Sequence, residues 1–299
     1  MFDSFDVIRN AEMRNYTTLK LGGPADWLAF PRNGEEIIAM KAEADSCGMP
    51  VTVIGHGSNL LVTDGGIRGL VIRIGRGMNM IRRTENKVIA QAGAMLGTVA
   101  LFAAEAGLSG LEFASGIPGT VGGGVTMNAG AYDGDLAGTV SDVKGILPDG
   151  KEVTLSGEKM DFSYRHSAVS QLGLTVTEAV FNLREGDKDA IRSRMTELNA
   201  RRAEKQPLDV PSAGSTFKRP EGYYAAALID QCGLKGYSIG GALVSPKHAG
   251  FLVNTGTSST DFLHLMQYVQ KTVEERTGIR LEPEIRILGE LPDDFSFRS

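Results

Sequence analysis

The stretch SAGSTFKRP, residues 212–220, gathers side chains that could act on an anionic substrate. Ser215 lies at its centre among further hydroxyls, next to a glycine that lets the backbone approach a ligand closely. Lys218 and Arg219 follow and could bind an anion. A nucleophilic serine needs an adjacent base. The neighbouring residues provide none, so the motif alone leaves the role of Ser215 open.

A first glycine cluster, GHGSNLLV at 55–62, directly follows the β-branched segment VTVIG. Gly55 and Gly57 allow a tight turn whose amides point in one direction, and Ser58 and Asn59 add side-chain hydrogen bonds. Such a nest of amides suits a pyrophosphate. The spacing matches neither the Rossmann fingerprint nor the Walker A loop, so a structural hairpin turn is an equal alternative.

A second cluster, ASGIPGTVGGGVTMNAGAYDGD, spans residues 114–135 and carries Asn128 after a run of glycines. Its backbone could form a flat surface for a large planar or extended ligand; the alternative is a mobile loop. Burial is favoured over mobility because apolar residues alternate with the glycines, at Ile117, Val121, Val125 and Met127. Together the two clusters predict a dinucleotide or nucleotide sugar bound in an extended pose across two lobes.

The composition narrows the class of protein. The chain has 299 residues and a net charge of −5, which predicts two or three domains and argues against a general nucleic-acid-binding protein. The N-terminal residues do not form a secretory signal, and no apolar run reaches the length of a membrane span. We therefore expect a cytoplasmic protein with no nucleic-acid or membrane partner.

The cysteines and histidines give no indication of a metal. Cys47 and Cys232 are far apart, each at the end of an apolar helical stretch, and are expected to be buried free thiols. The 4 histidines are scattered, so no metal site is expected.

Hydrophobic periodicity predicts alternating strands and helices. Strands are predicted at 26–31, 51–55, 69–75, 87–93, 139–147, 151–155, 174–184, 250–254 and 281–289. Helices are predicted from Ile37 to Cys47, from Leu96 to a stop at Gly107, from the N-cap Asp187 to before Pro207, near 223–232, and from SST at 258–260 to Gly278. The pattern changes near residue 186, where we place a domain boundary.

Seven motifs in register along the chain resemble those of the UDP-N-acetylenolpyruvoylglucosamine reductases. They are NYTTLKLGGPADWLAFP (15–31), GHGSNLLV (55–62), SGIPGTVGGGVTMNAGAY (115–132), YRHS (164–167), AGSTFKRP (213–220), HAGFLVNTG (248–256) and LEPEIRILG (281–289). The resemblance implies NADPH-dependent reduction of UDP-N-acetylglucosamine enolpyruvate to UDP-N-acetylmuramate, through bound FAD, in bacterial peptidoglycan synthesis.

The same resemblance implies an α+β fold. A two-lobed FAD-binding domain of the vanillyl-alcohol-oxidase type is expected at 1–186, with lobes at about 1–65 and 66–186, followed by a smaller α/β substrate-binding domain at 187–299. FAD would be held non-covalently, NADPH would be the co-substrate, and no obligatory protein partner is implied. The residues expected around FAD are Gly55, Gly57, Ser58, Asn59, Leu60, Gly116, Ile117, Gly119, Thr120, Gly122, Gly123, Asn128 and Gly130.

The family's catalytic residues correspond to Arg165, Ser215 and Glu284. Arg165 would clamp the substrate carboxylate, which a guanidinium binds bidentately. Ser215 would donate the proton to C2: a dianionic enediolate is so strong a base that a hydroxyl suffices, although a mere turn residue is the alternative. Glu284 would have to be protonated or paired with a cation. Glu282, predicted on the same strand face, competes for its role.

Three further residues are expected to line the substrate pocket: Tyr164, Lys218 and Asn254. A solvated Lys218 is almost equally expected. The chain is too compact between Ser215 and Glu284 for the tyrosine-bearing segment of longer family members, so we assign it to the shorter class, and what closes over the sugar nucleotide stays open. Two other functions are compatible with the sequence, an FAD-dependent sugar or alcohol oxidase and a non-catalytic nucleotide-sugar-binding protein.

Overall fold

The computed structural model describes residues 2–292 and 295. Its strands are β1 Val7–Glu12, β2 Pro24–Ala29, β3 Val51–Ile54, β4 Leu60–Val62, β5 Ile67–Arg73, β6 Ile81–Thr84, β7 Lys87–Gln91, β8 Leu108–Ser109, β9 Gly130–Ala131, β10 Gly134–Asp135, β11 Val140–Ile146, β12 Glu152–Ser156, β13 Thr175–Asn182, β14 Arg184–Glu185, β15 Ser238–Ile239, β16 Ala242–Val244, β17 Leu252–Asn254 and β18 Arg286–Leu288. Its helices are α1 Gly34–Ser46, α2 Leu96–Glu105, α3 Val121–Thr126, α4 Ala168–Leu172, α5 Lys188–Lys205, α6 Ala225–Gln231 and α7 Ser259–Thr277.

The chain forms two compact units, and each is assembled from separate stretches of sequence. The first contains the residues up to Ile8, Trp27–His56 and Gly69–Arg202. The second contains Arg9–Asp26, Gly57–Arg68 and the residues from Ala203 onward.

The first unit is built on an antiparallel sheet in the order β12-β11-β13-β7-β6. Alternating residues of its strands are fully buried, as at Val143, Ala179 and Phe181, because successive side chains of a strand point to opposite faces. Helix α2 contributes its apolar face to the same core. A second sheet has the order β1-β2-β5-β3, with β3 and β5 parallel.

The second unit packs α6 and α7 with the small antiparallel sheet β15-β16-β17. The predicted helix α7 buries an apolar stripe, and its five residues Phe262, Leu265, Met266, Val269 and Val273 are all 0% exposed. Leu19, Leu21 and Leu61 from the N-terminal half are buried in this same core. Strand β4 pairs in parallel with β18, so that Leu60 lies opposite Arg286.

The compact units therefore divide the chain differently from the boundary placed at residue 186. Helix α5 buries Ile191 and Met195 in the core of the first unit, so the second unit resumes only after Arg202. The segments around Leu19 and Leu61 join the second unit because their apolar side chains complete its core. The assignment of FAD and of substrate to particular domains stays a prediction.

Several local predictions hold at the helix ends. The Asp187 carboxylate accepts a hydrogen bond from the Ala190 amide at 2.9 Å, which is the predicted N-cap of α5. Gly278 ends α7 in the left-handed conformation, with φ 73°, as glycine does at this position. The expectation of two buried thiols is wrong in part, because Cys232 is buried but Cys47 is exposed. Within the described residues, no helix combines the length and apolar character that crossing a bilayer requires.

Candidate active site

The two glycine clusters meet within the first unit. A Cβ atom on Gly55 would overlap the hydroxyl of Thr120, so the glycine allows a close approach that any larger residue would prevent. Thr120 is only 3% exposed, and its Oγ1 has no hydrogen-bond partner among the described residues. A buried hydroxyl without a partner is costly in a folded protein, so this point fits a ligand that accepts or donates a hydrogen bond.

The three consecutive glycines of α3 have different environments. A Cβ on Gly122 would lie 3.1 Å from the Cβ of Ala92, and one on Gly124 would lie 2.9 Å from a methyl of Leu96. These two glycines let α3 pack closely in the core. A Cβ on Gly123 would meet only the Thr120 hydroxyl, at 3.6 Å. The protein itself does not need a glycine at 123, which leaves this exposed face of α3 free to lie against a flat ligand.

Helix α5 holds both ends of the glycine-rich segment 114–135. The Arg202 guanidinium donates a hydrogen bond to the Gly116 carbonyl at 2.5 Å, and burial lowers the pKa of Arg202. The Tyr132 hydroxyl donates to the Leu198 carbonyl at 2.9 Å. The sequence predicted this helix but not these two contacts, because regularly spaced charged and polar side chains do not reveal which of them reach another segment.

The rest of the first glycine cluster, residues 57–62, belongs to the second unit. Gly57 has φ +76°, and a Cβ there would strike the carbonyl of Tyr16, so the chain itself requires glycine at this position. The Asn59 amide donates to the Glu284 carbonyl at 3.2 Å, and the Arg286 amide donates to the Asn59 carbonyl at 3.0 Å. Ser58 precedes Asn59, and Leu60 begins β4. These bonds fix the backbone on either side of Ile285.

The second unit brings Ser215 and Glu284 together through Thr216. The Thr216 carbonyl accepts a hydrogen bond from the Glu284 amide at 2.8 Å. Its hydroxyl, in a side chain only 1% exposed, accepts one from the Leu252 amide at 3.1 Å. Thr216 is one of the further hydroxyls in the sequence motif, and the structure makes it the buried anchor of that motif. The neighbouring Ser215 hydroxyl makes no hydrogen bond to any described residue.

Lys218 forms an ion pair with Glu282, the residue that competes with Glu284 for its predicted catalytic role. Its backbone amide donates to the Glu282 carbonyl at 2.8 Å, and its ammonium lies 3.2 Å from the Glu282 carboxylate. The strand predicted from 281 begins only at Arg286. Before it, Pro283 makes a single bridge with Phe217, because proline has no amide hydrogen to extend a ladder. Glu282 and Glu284 therefore flank an isolated bridge and do not belong to the strand that was predicted to carry both.

Arg165 lies at the tip of a tight turn in the first unit. Ser163 and His166 exchange two backbone hydrogen bonds of 3.2 Å each, and Arg165 between them has φ +56°. This left-handed conformation costs about 1–2 kcal/mol for a residue with a Cβ. Strained residues of this kind cluster at functional sites. The Arg165 guanidinium also lies 5.0 Å from the centre of the Tyr164 ring, and Tyr164 is 53% exposed.

Of the three asparagines predicted to contact ligands, Asn128 and Asn254 are buried and their side-chain amides are hydrogen-bonded. Asn254 donates to the Leu19 carbonyl at 3.0 Å and accepts from the Gly256 amide at 2.9 Å. Asn128 donates to the Ser163 carbonyl at 3.1 Å and accepts from the Ala137 amide at 2.9 Å. Both side chains therefore hold backbone segments in place.

Profiles of two families match the chain. "FAD binding domain" matches residues 25–156, and "UDP-N-acetylenolpyruvoylglucosamine reductase, C-terminal domain" matches residues 206–288. A protein of that name from Agathobacter rectalis is 50% identical over 297 residues, covering 95% of this chain and 94% of the relative. One from Clostridium novyi is 48% identical, with 97% and 94% covered.

The chain belongs to the UDP-N-acetylenolpyruvoylglucosamine reductase family. The crystal structure of the family member from Thermus caldophilus superimposes with a TM-score of 0.83 at 36% identity, covering 95% of this chain and 100% of that one. The predictions of an FAD-binding oxidoreductase and of an α+β fold, with an FAD-binding domain followed by a smaller domain, are confirmed. Within the described residues, no group of three potential metal ligands occurs.

Proposed function

We propose that the protein reduces UDP-N-acetylglucosamine enolpyruvate to UDP-N-acetylmuramate with NADPH as the electron donor, in the synthesis of peptidoglycan precursors. The observation that carries the proposal is the similarity, over nearly the whole chain, to relatives named for this reductase activity. The family motifs that contain Arg165, Ser215 and Glu284 are present in this chain.

The first unit has features that fit FAD. The unpartnered hydroxyl of Thr120 and the open face at Gly123 lie where the two glycine clusters meet. We infer that the backbone around Gly55 and along 116–130 holds the cofactor, with Thr120 as a hydrogen-bonding contact. The chemistry that FAD would supply when bound is hydride transfer, from NADPH and then to the vinyl carbon of the substrate.

Arg165 and Glu284 would manage the charge that this addition creates. As the vinyl carbon accepts a hydride, electron density moves through C2 into a carboxylate that is already negative. A fixed guanidinium stabilises this build-up more than it stabilises the ground state, which is the requirement for catalysis. An ionised Glu284 would oppose it, so Glu284 acts either protonated or paired with a cation.

Ser215 would complete the reaction by protonating C2. Its hydroxyl is not committed to another described residue, while the adjacent Thr216 is buried and hydrogen-bonded. The fixed Thr216 positions the backbone, and the hydroxyl of Ser215 is available, so this hydroxyl can donate its proton in a defined direction. The absence of a partner base in the motif agrees with this role, because a proton donor to a strongly basic carbon needs no activation.

The proposal is tested by mixing the purified protein with NADPH and UDP-N-acetylglucosamine enolpyruvate and following the nicotinamide absorbance. We expect a yellow protein whose NADPH oxidation depends on the enolpyruvyl substrate. A flavin bleached by sugars or alcohols but not by NADPH would support the oxidase alternative. A colourless protein that binds nucleotide sugars without turnover would support the binding-protein alternative.

A further inference from the structure

The turn that carries Arg165 is strained, so something must hold it in that shape. Two backbone bonds between Ser163 and His166 close it, and a non-glycine residue at φ +56° persists only where the surrounding structure determines that conformation. A guanidinium that must meet a carboxylate bidentately depends on the position of this turn, since small displacements of catalytic groups are costly.

Two buried side chains fasten this turn at its two ends. The Asn128 amide donates to the carbonyl of Ser163, just before the turn, at 3.1 Å. The Ser167 hydroxyl, just after the turn, donates to the carbonyl of Thr126 at 2.9 Å. Both donor side chains are shielded from water, since Asn128 is 3% exposed and Ser167 is 1% exposed.

Asn128 is itself held rigidly. It has φ +42°, its Oδ1 accepts from the Ala137 amide at 2.9 Å, and its Nδ2 also lies 3.3 Å from the Asp135 carboxylate. Its amide therefore belongs to a network that is independent of the Arg165 turn. Because these partners hold the Asn128 side chain in place, its bond to Ser163 can hold the turn in place.

We propose that Asn128 and Ser167 are positioning residues that fix the turn of Arg165 and so serve the reduction of the enolpyruvyl substrate. The inference rests on the proposed function. The Asn128 side chain thus acts on Arg165, whereas the sequence had assigned it to the cofactor. The glycine-rich segment then has two tasks, since the same stretch that fits FAD also anchors the substrate-binding arginine.

The test uses Asn128→Ala and Ser167→Ala in the flavin-loaded protein, with the two half-reactions separated by rapid mixing. We expect flavin reduction by NADPH to stay within about threefold of wild type, and reoxidation by the enolpyruvyl substrate to slow by at least about tenfold. Thr139→Val is the matched control, because it removes a hydroxyl that donates to a carbonyl of the same unit, Leu136, at 3.2 Å. It should leave both rates unchanged.

A double-mutant comparison shows whether the effect passes through Arg165. If it does, Asn128→Ala should slow reoxidation less than about twofold further once Arg165→Ala is present. The proposal would be overturned if Asn128→Ala slowed reoxidation by its full factor even when Arg165→Ala is present. It would also be overturned if the single variants slowed both half-reactions equally.

A readout without substrate separates this inference from the proposed function. Hydrogen exchange at the amides of Ser163 and His166 should quicken in Asn128→Ala and Ser167→Ala but not in Thr139→Val. Unchanged exchange would overturn the positioning role even if the protein proves to be the proposed reductase. If instead the enolpyruvyl substrate fails to reoxidise the wild-type flavin, the proposed function fails, and faster exchange in the two variants still supports the anchoring of the turn.

Discussion

At the scale of single residues, Ser215 has no neighbouring base, and the fixed position of the adjacent Thr216 indicates its role. Thr216 is buried and hydrogen-bonded, which leaves Ser215 as the motif's uncommitted hydroxyl among the described residues. We predict that Ser215→Ala folds, binds FAD and accepts a hydride from NADPH at a near-normal rate. Reoxidation by the enolpyruvyl substrate should fall by about two to four decades or more, because the acid that traps the product is missing. Rapid-mixing absorbance of the flavin measures both steps.

Ser215→Cys, with a more acidic group, should recover part of the activity, and Ser212→Ala in the same stretch should behave as wild type. If Ser215→Ala turns over within tenfold of wild type, Ser215 is only a turn residue and not the proton donor. The same conclusion follows if the variant is already slow in flavin reduction by NADPH.

Arg165 belongs to the same scale. We predict that Arg165→Ala slows reoxidation by about two decades, equivalent to about 3 kcal/mol, and leaves flavin reduction nearly intact. Arg201→Ala is the matched control, because Arg201 also lies over a tyrosine, with its guanidinium 5.2 Å from the Tyr132 ring centre. Equal damage to both half-reactions in Arg165→Ala would indicate a role in folding instead.

At the scale of elements, α3 offers a test of the cofactor site that does not depend on activity. Gly123→Ala replaces a helical glycine where the protein has room, so the apoprotein should gain about 0.5–1 kcal/mol of stability. If flavin lies against this face, its affinity should nevertheless fall, because the new methyl occupies its space. Thermal unfolding of the apoprotein and flavin titration measure the two effects.

Gly138→Ala is the control for this variant, since a Cβ there would meet nothing within 4 Å. Gly57→Val is unsuitable for the purpose, because the Tyr16 carbonyl alone excludes the side chain. Unchanged flavin affinity in Gly123→Ala would place the cofactor elsewhere.

Helix α7 begins at a cap supplied from a distant part of the sequence. The Asp64 carboxylate accepts from the Ser259 amide at 2.8 Å, the Thr260 amide at 3.1 Å and the Ser258 hydroxyl at 2.9 Å. Burial alone would raise the pKa of Asp64, but these hydrogen bonds to the ionised form outweigh it and lower the pKa. We predict that Asp64→Ala lowers the free energy of unfolding by about 1 kcal/mol at pH 7.

The direction of the pKa shift fixes the pH dependence of this effect. A carboxylate whose pKa is lowered by folding stabilises the protein above its unfolded pKa, about 3.9. The difference between wild type and Asp64→Ala should therefore shrink as the pH falls below about 4, as measured by denaturant unfolding. Asp189→Ala, in the exposed first turn of α5, should show little effect at either pH. A pH-independent difference would argue against the capping role.

At the scale of the whole molecule, the chain builds two cores that are not contiguous in sequence. The core around α7 requires Leu19, Leu21 and Leu61, and β18 requires β4 as its partner. We predict that a fragment of residues 203–299 shows no cooperative unfolding transition by circular dichroism, because it lacks these apolar side chains and this strand. A fragment that unfolds as cooperatively as the full chain would contradict the prediction.

The same discontinuity explains how much could be predicted. The stripe of α7, the caps at Asp187 and Gly278 and nine of the eighteen strands in the described residues follow from patterns within about twenty residues, where side-chain periodicity is a local property. The motifs with Arg165, Ser215 and Glu284 were identified through their resemblance to those of a known family. Their roles stay predictions, because contacts in the fold show position but not chemistry.

What the sequence by itself determined is therefore the family, the fold class and the residues worth testing. The tertiary structure decided which side chains contact which remote segments of the chain. Asp64 caps a helix 195 residues away, and the Asn59 amide reaches Glu284 across 225 residues. The Asn128 amide donates to the carbonyl of Ser163, at the start of the Arg165 turn. Such contacts depend on the packing of segments that are remote along the chain, and local propensity and periodicity carry no information about that packing.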